Sequence, residues 1–72
     1  MKKVYYYATY NTDGGVNVAS IIKATSIAQI KRASIHLFEN YKKCETYDEA
    51  YYFLKDLAIF DDKIKDFDVT NF

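Results

Sequence analysis

The residues able to do chemistry in this chain are few, and their spacing is poor for it. His36 and Cys44 are the only histidine and the only cysteine, so they are the only candidates for a base–thiol pair. Nucleophilic catalysis needs an activated nucleophile, a positioned base and a third group that orients the base. No oxyanion turn or glycine-rich loop accompanies the pair. The plainer expectation is a surface or half-buried histidine and a small buried thiol. Asp61, Asp62, Asp66 and Asp68 are the densest carboxylates. A calcium loop alternates its acids about a central glycine and closes on a distal glutamate, and that spacing is missing. They read as a solvated acidic helix end. Gly14-Gly15 has no helix directly after it and reads as a turn rather than a phosphate loop. The expectation is a chain without catalytic residues, metal or cofactor.

The aromatics carry more information. Eight tyrosines and five phenylalanines stand in 72 residues. Tyr47, Tyr51, Tyr52 and Ile59 fall off the apolar stripe of the last helix. Tyr5, Tyr7 and Ile21 fall off the core face of the first hairpin. Together they exceed what a core of this size takes in, and exposed tyrosines are frequent interface anchors. The expected protein-binding surface joins Tyr5, Tyr7, Ile21, Tyr47, Tyr51 and Tyr52 to the acids Asp48, Glu49 and Asp56. A homodimer seam uses the same residues.

Length and composition bound the rest. A chain of this size makes one small domain, residues 1–72, near the lower limit for folding alone. One cysteine excludes a disulfide, and His36 with Cys44 cannot supply a zinc cage. No apolar run is long enough to span a membrane or to form a signal peptide, and with a lone cysteine this predicts a cytoplasmic protein. Richness in Lys, Ile, Asn, Asp, Tyr and Phe is what AT-rich coding produces, and points to a low-GC bacterium, its phages or its plasmids. Ten bases and ten acids give zero net charge. They are unevenly placed, since seven bases precede Glu45 and eight acids lie from Glu45 onward. Nucleic-acid binding over a whole face normally needs a basic excess; here only a local basic patch can form.

The positioning elements follow from periodicity. Residues 3–10 and 16–24 are β-branched and aromatic and read as a hairpin about Asn11 to Gly15. A three-residue loop Thr12-Asp13-Gly14, with Gly14 left-handed, pairs Tyr10 with Val16, Ala8 with Val18, Tyr6 with Ser20 and Val4 with Ile22. From Ser26 the period becomes helical, with Ser26 and Gln29 as a capping box and an end near Phe38, although Ala33-Ile35-Leu37 alternates and reads equally as strand. Tyr41 to Glu45 read as a short strand. Thr46 and Glu49 form a second capping box, and the stripe Ala50, Phe53, Leu54, Leu57, Phe60, Ile64, Phe67 continues at helical period, as one long helix or as a helix to Phe60 followed by another turn. Asp68 to Phe72 read as irregular. The predicted class is α+β, in the order β-β-α-β-α, with an antiparallel sheet and helices packed on one face.

The segment Tyr41-Lys42-Lys43-Cys44-Glu45-Thr46-Tyr47-Asp48-Glu49-Ala50, followed by Phe53-Leu54, resembles the end of the RNA–DNA hybrid-binding domain found at the amino terminus of eukaryotic-type ribonuclease H and in viroplasmin. Tyr6-Tyr7-Ala8-Thr9 and Gly15-Val16-Asn17 resemble that family's first two strands. The family's basic first loop is replaced here by Asn11-Thr12-Asp13, its tryptophan has no counterpart, and Cys44 stands for its phenylalanine. The resemblance implies the β-β-α-β-α fold, backbone contacts from Lys42 and Lys43, and stacking by Tyr7. Two functions are therefore expected. The first is a small non-catalytic protein that binds another protein, such as a phage or mobile-element inhibitor of a host or defence enzyme in the manner of anti-CRISPR proteins. The second is a module for RNA–DNA hybrid or double-stranded RNA using Tyr7, Lys31, Arg32, Lys42 and Lys43.

Overall fold

The computed structural model describes residues 2–11 and 17–72. Its elements are β1 (Tyr5–Asn11), β2 (Val18–Ala24), α1 (Ile27–Arg32), β3 (Asn40–Cys44), α2 (Tyr47–Asp56), a 3-10 turn (Asp61–Lys63) and β4 (Ile64–Asp68). The α+β class and the β-β-α-β-α order are those the sequence predicts. A fourth strand completes the sheet, in the order β3-β1-β2-β4. β1 is antiparallel to β2 and to β3, whereas β4 lies parallel to β2, so the sheet is mixed rather than purely antiparallel.

The helices take opposite faces of this sheet, in place of the single face expected. Alternation along the strands explains why both faces need cover. Ala8, Ala19, Ile21 and Cys44 meet Ala50 and Leu54 of α2 and the buried Ile59 on one face. Tyr7, Ile22 and Ala24 meet Ile30 of α1 and Val69 on the other. Adjacent residues such as Ile21 and Ile22 point to opposite faces of a strand, so an apolar run in β2 is buried on both sides.

The strand register also differs from the expected one. Ala8 lies opposite Ile21 and Tyr6 opposite Lys23, where the sequence pairs them with Val18 and Ser20. An odd shift exchanges the faces of one strand relative to its partner. Here it places Ala19 and Ile21 with Ala8 under α2, and Ile22 with Tyr7 on the face of α1. Patterning for one buried face chooses wrongly when both are buried. The predicted loop Thr12-Asp13-Gly14 and the pairing of Val16 lie outside the described residues.

Both helices start where the capping residues say and stop earlier than the apolar stripes say. The Gln29 N–H donates to Ser26 Oγ at 3.2 Å, and the Glu49 N–H donates to Thr46 Oγ1 at 3.1 Å. At the end of α1, the Ser34 N–H donates to the Lys31 carbonyl and the Ile35 N–H to the Ile30 carbonyl. The same pattern closes α2, with Ala58 donating to Lys55 and Ile59 to Leu54. These are Schellman closures, in which the residue past the cap turns left-handed. Ser34 and Ala58 hold φ of 60° and 61° without being glycine. Past these left-handed residues, Ile59 is buried and Ile35 partly buried in the layers beneath the helices they terminate. α1 therefore ends well before Phe38. α2 does not run on through Phe60, which is exposed, and Ile64 and Phe67 belong to β4.

Two polar anchors hold the loops. Buried Thr9 donates through Oγ1 to the carbonyls of Phe38 and Asn40 at 3.3 and 3.1 Å, which fixes the entry to β3. Gln29, also buried, accepts from the Thr25 N–H at 2.7 Å through Oε1 and donates through Nε2 to the Phe72 carbonyl at 3.0 Å. No helix among the described residues is long and apolar enough to cross a membrane.

Candidate functional site

The residues singled out from the sequence do not form one surface. The sheet divides them. Ile21 is 1 % exposed and Tyr7 3 % exposed, each in a different core layer, so neither is available to a partner. Ile59 is equally buried. Their burial follows from the second covered face, which a one-faced reading leaves in solvent. Tyr5 is half-buried beside Tyr7 on the α1 side, with the two ring centres 6.5 Å apart. Tyr47, Tyr51 and Tyr52 all lie on α2, across the sheet.

On the α2 side the aromatic rings form a run. Tyr6 meets Tyr47 edge-on at 6.1 Å, Tyr47 stacks on Tyr51 at 6.3 Å, and Tyr51 meets Tyr52 edge-on at 5.4 Å. The first two α2 tyrosines work as clasps. Tyr47 Oη donates to Asp66 of β4 at 3.0 Å, and Tyr51 Oη donates to Asp61 at 2.8 Å. Both phenols are held above their ordinary pKa, Tyr47 first by burial and Tyr51 first by its hydrogen bond to Asp61. Part of the C-terminal acidity is thus structural, since Asp61 and Asp66 tie the last strand and its approach to α2.

Tyr52 differs from its neighbours. It is 64 % exposed, the most exposed tyrosine among the described residues. Asp48 and Asp56 lie one helical turn before and after it, so the three fall on one outward stripe. Neither carboxylate has an ion-pair partner among the described residues. Lys55 is the base nearest in sequence, and it is taken by Asp61, 3.3 Å away. Glu49, exposed on the flank, accepts from the Glu45 N–H at 3.4 Å. The stripe therefore sets two carboxylates without ion-pair partners among the described residues beside an exposed phenol ring.

The expected basic patch is divided as well. Lys42 pairs with Ala8 and Lys43 with Tyr7, so the two lysines point to opposite faces. Lys42 Nζ lies 5.1 Å from the Phe53 ring centre on the α2 side. Lys43 Nζ sits 3.9 Å over Tyr5 on the other side, where Lys3 also approaches that ring at 5.4 Å. Tyr41, 44 % exposed, stands near Tyr7 there and shares a cleft of about 620 Å³ with Lys31 and His36. Arg32 donates to the Phe72 carbonyl at 3.3 Å. Sequence reasoning passed over Tyr41 and Lys3; the signal was their parity with Tyr5 and Lys43, which only the strand register makes usable.

The base–thiol pair is not assembled. Cys44 is buried in the α2-side core, while His36 is exposed in the loop over the other face, edge-on to Phe38 at 4.7 Å. Burial pushes the Cys44 thiol up, with the Glu49 charge adding to the effect. A raised thiol pKa keeps the reactive thiolate scarce at neutral pH. No group of three His, Cys, Asp or Glu side chains that could hold a metal occurs among the described residues.

The depressed carboxyls give a pH signature. The Tyr51 hydroxyl and the Lys55 ammonium hold Asp61 below the ordinary carboxylate range. Lys3 does the same to Glu45, and Thr70 to Asp68. A carboxyl whose pKa is lower folded than unfolded adds stability above its unfolded pKa and loses it as pH falls through its folded one. Urea unfolding repeated across the acid range will show stability falling as these groups protonate. In Asp61→Asn that fall is shallower; an equally steep fall excludes Asp61 as a contributor.

No protein-family model matches this chain, and no curated protein and no solved structure matches it either.

Proposed function

We propose that this chain is a small non-catalytic binding protein that docks the outward stripe of α2 on a basic surface of another protein. The observation that carries the reading is Tyr52, 64 % exposed between the unpaired carboxylates of Asp48 and Asp56. A large aromatic ring with few degrees of freedom is a frequent interface hot spot. Uncompensated acids steer such a helix toward basic partners and speed encounter. A protein surface that binds nucleic-acid phosphates presents the required charge. An inhibitor of a host or defence enzyme, carried by a phage or other mobile element, is the form of this reading that the AT-rich composition favours.

The test uses the chain as bait in its source cells, followed by titration with the purified captured protein. Tyr52→Ala weakens binding by about tenfold or more, and Asp48→Lys weakens it further at low salt than at high salt. Tyr52→Ala leaves the unfolding midpoint nearly unchanged because the side chain is exposed, whereas Asp48→Lys lowers it by a few degrees, since Asp48 stands in the first turn of α2, where the helix end favours an acid. Unchanged affinity in both variants sinks the reading.

One observation favours a second reading, a nucleic-acid module. Lys43, Lys3, Tyr5 and Tyr41 gather on the α1 side, with Lys31 across the adjoining cleft. Lysines beside exposed rings can hold phosphates and stack bases. Compared with the sequence expectation, this set loses Tyr7, Lys42 and Arg32, whose guanidinium donates to the Phe72 carbonyl. Binding of RNA–DNA hybrid that falls steeply with salt and is lost in Lys43→Ala, but not in Lys42→Ala, selects it over the first reading.

A further inference from the structure

The sheet has two open edges, β3 on one side and β4 on the other, each with a single neighbour among the described residues. A strand edge presents unpaired N–H and C=O groups, a template for a further strand. Neither edge strand contains proline, and Asn40, Tyr41, Lys42 and Lys43 of β3 are all exposed. The edges differ in charge. β3 carries Lys42 and Lys43 with no acid, and β4 carries Asp66 and Asp68 against Lys65 alone. They share a direction, because β3 is antiparallel to β1, β1 is antiparallel to β2, and β4 is parallel to β2.

We propose that copies of this chain associate head to tail, β3 of one molecule pairing in parallel with β4 of the next, to give an open-ended continuous sheet. Two-fold pairing of like edges is disfavoured, since the central register opposes Lys42 to Lys42 or Asp66 to Asp66, and like charges directly across a strand pair repel. The head-to-tail arrangement removes that conflict. With Lys42 beside Asp66, both on the α2 side, Tyr41 comes beside Lys65 and Lys43 beside Phe67 on the other side. One pair is an ion pair, and two bring a cation to a ring. The charged heads are already held at the edges, Lys42 over Phe53 and Asp66 by the Tyr47 hydroxyl. A translation that does not close generates an open series rather than a ring. A contact of one short strand pair buries far less than a standard interface of roughly 1,600 Å², so association depends on concentration. The surface differs from the outward stripe of α2 and does not rest on that reading.

Sedimentation velocity of the whole chain over a concentration series tests the proposal. The mean mass rises with concentration past the dimer without a plateau, and added salt weakens the rise. Lys42→Glu alone, and Asp66→Lys alone, each weaken association about tenfold. An equimolar mixture of the two variants recovers it, because each reversed charge meets the other's reversed charge and each native charge meets a native partner. Circular dichroism checks that both variants fold. Should Asp66→Lys unfold, Asp66→Asn keeps an acceptor for Tyr47 and weakens association several-fold. A wild-type chain that is monomeric throughout, a mass that stops at the dimer, an Asp66→Asn variant that associates unchanged, or a mixture of folded variants that stays monomeric overturns the proposal. Tyr52→Ala leaves the mass distribution unchanged, which separates this outcome from that of the α2 reading.

Discussion

Ile21→Ala is expected to lower unfolding stability by about 2–5 kcal/mol. Ile21 is 1 % exposed in the layer between the sheet and α2, with Ala8, Ala19, Ala50 and Leu54 around it. The same cluster holds Cys44 and Ile59, with Tyr6, Phe53 and Ile64 packed against it. A residual cavity adds to the lost transfer energy to the extent that these neighbours do not collapse into it. Small domains have only about 5–15 kcal/mol in all, and a chain of this length sits low in that span. The thermal midpoint should fall by at least about 10 °C. A midpoint within a degree or two of wild type, measured by circular dichroism, would mean that Ile21 is not in this core.

Tyr7→Ala is expected to cost about 3–5 kcal/mol, and Tyr7→Phe almost nothing. Tyr7 is the central aromatic of the second layer, where Ile22, Ala24, Ile30 and Val69 surround it. Its ring also meets Tyr5 and Tyr41 edge-on or tilted, at 6.5 and 6.4 Å. Truncation thus removes a large part of the apolar mass that β1 contributes to this layer. The hydroxyl makes no hydrogen bond among the described residues, so its removal strands no partner. Burial raises its pKa first, with the neighbouring tyrosines adding. The contrast separates packing from recognition. If Tyr7→Phe abolished partner or nucleic-acid binding in a fully folded chain, a direct contact from the phenol would have to be restored to Tyr7.

Together these two substitutions mark where a site read from the sequence becomes core. Tyr7 and Ile21 were candidates because they fell off a presumed single buried face. Tyr47 and Tyr51 fall off the apolar stripe of the helix instead, and they are tied down by Asp66 and Asp61. Tyr52, Asp48 and Asp56 keep the exposure expected of them, because their position on α2 depends only on the helix and its cap. A helix face is legible from local spacing. A sheet face is legible only once its register and both its neighbours are known.

The chain's own sequence determined the class, the order of the first five elements and the starts of both helices. Those features rest on local physics: β-branched and aromatic runs, and side-chain oxygens of Ser26 and Thr46 that satisfy N–H groups three residues on. Tertiary structure decided the rest. It stopped α2 at Asp56, because Ile59 returns to Leu54 through a left-handed Ala58, although the apolar spacing runs on to Phe67. It turned Ile64–Asp68 into a strand, because β2 had an open edge beside it. It also set β2 three places away from the hairpin register, so that Ile21 and Ile22 each face a helix. Which way Lys42 and Lys43 point follows from that sheet, and no pattern within Tyr41–Glu45 could have fixed it.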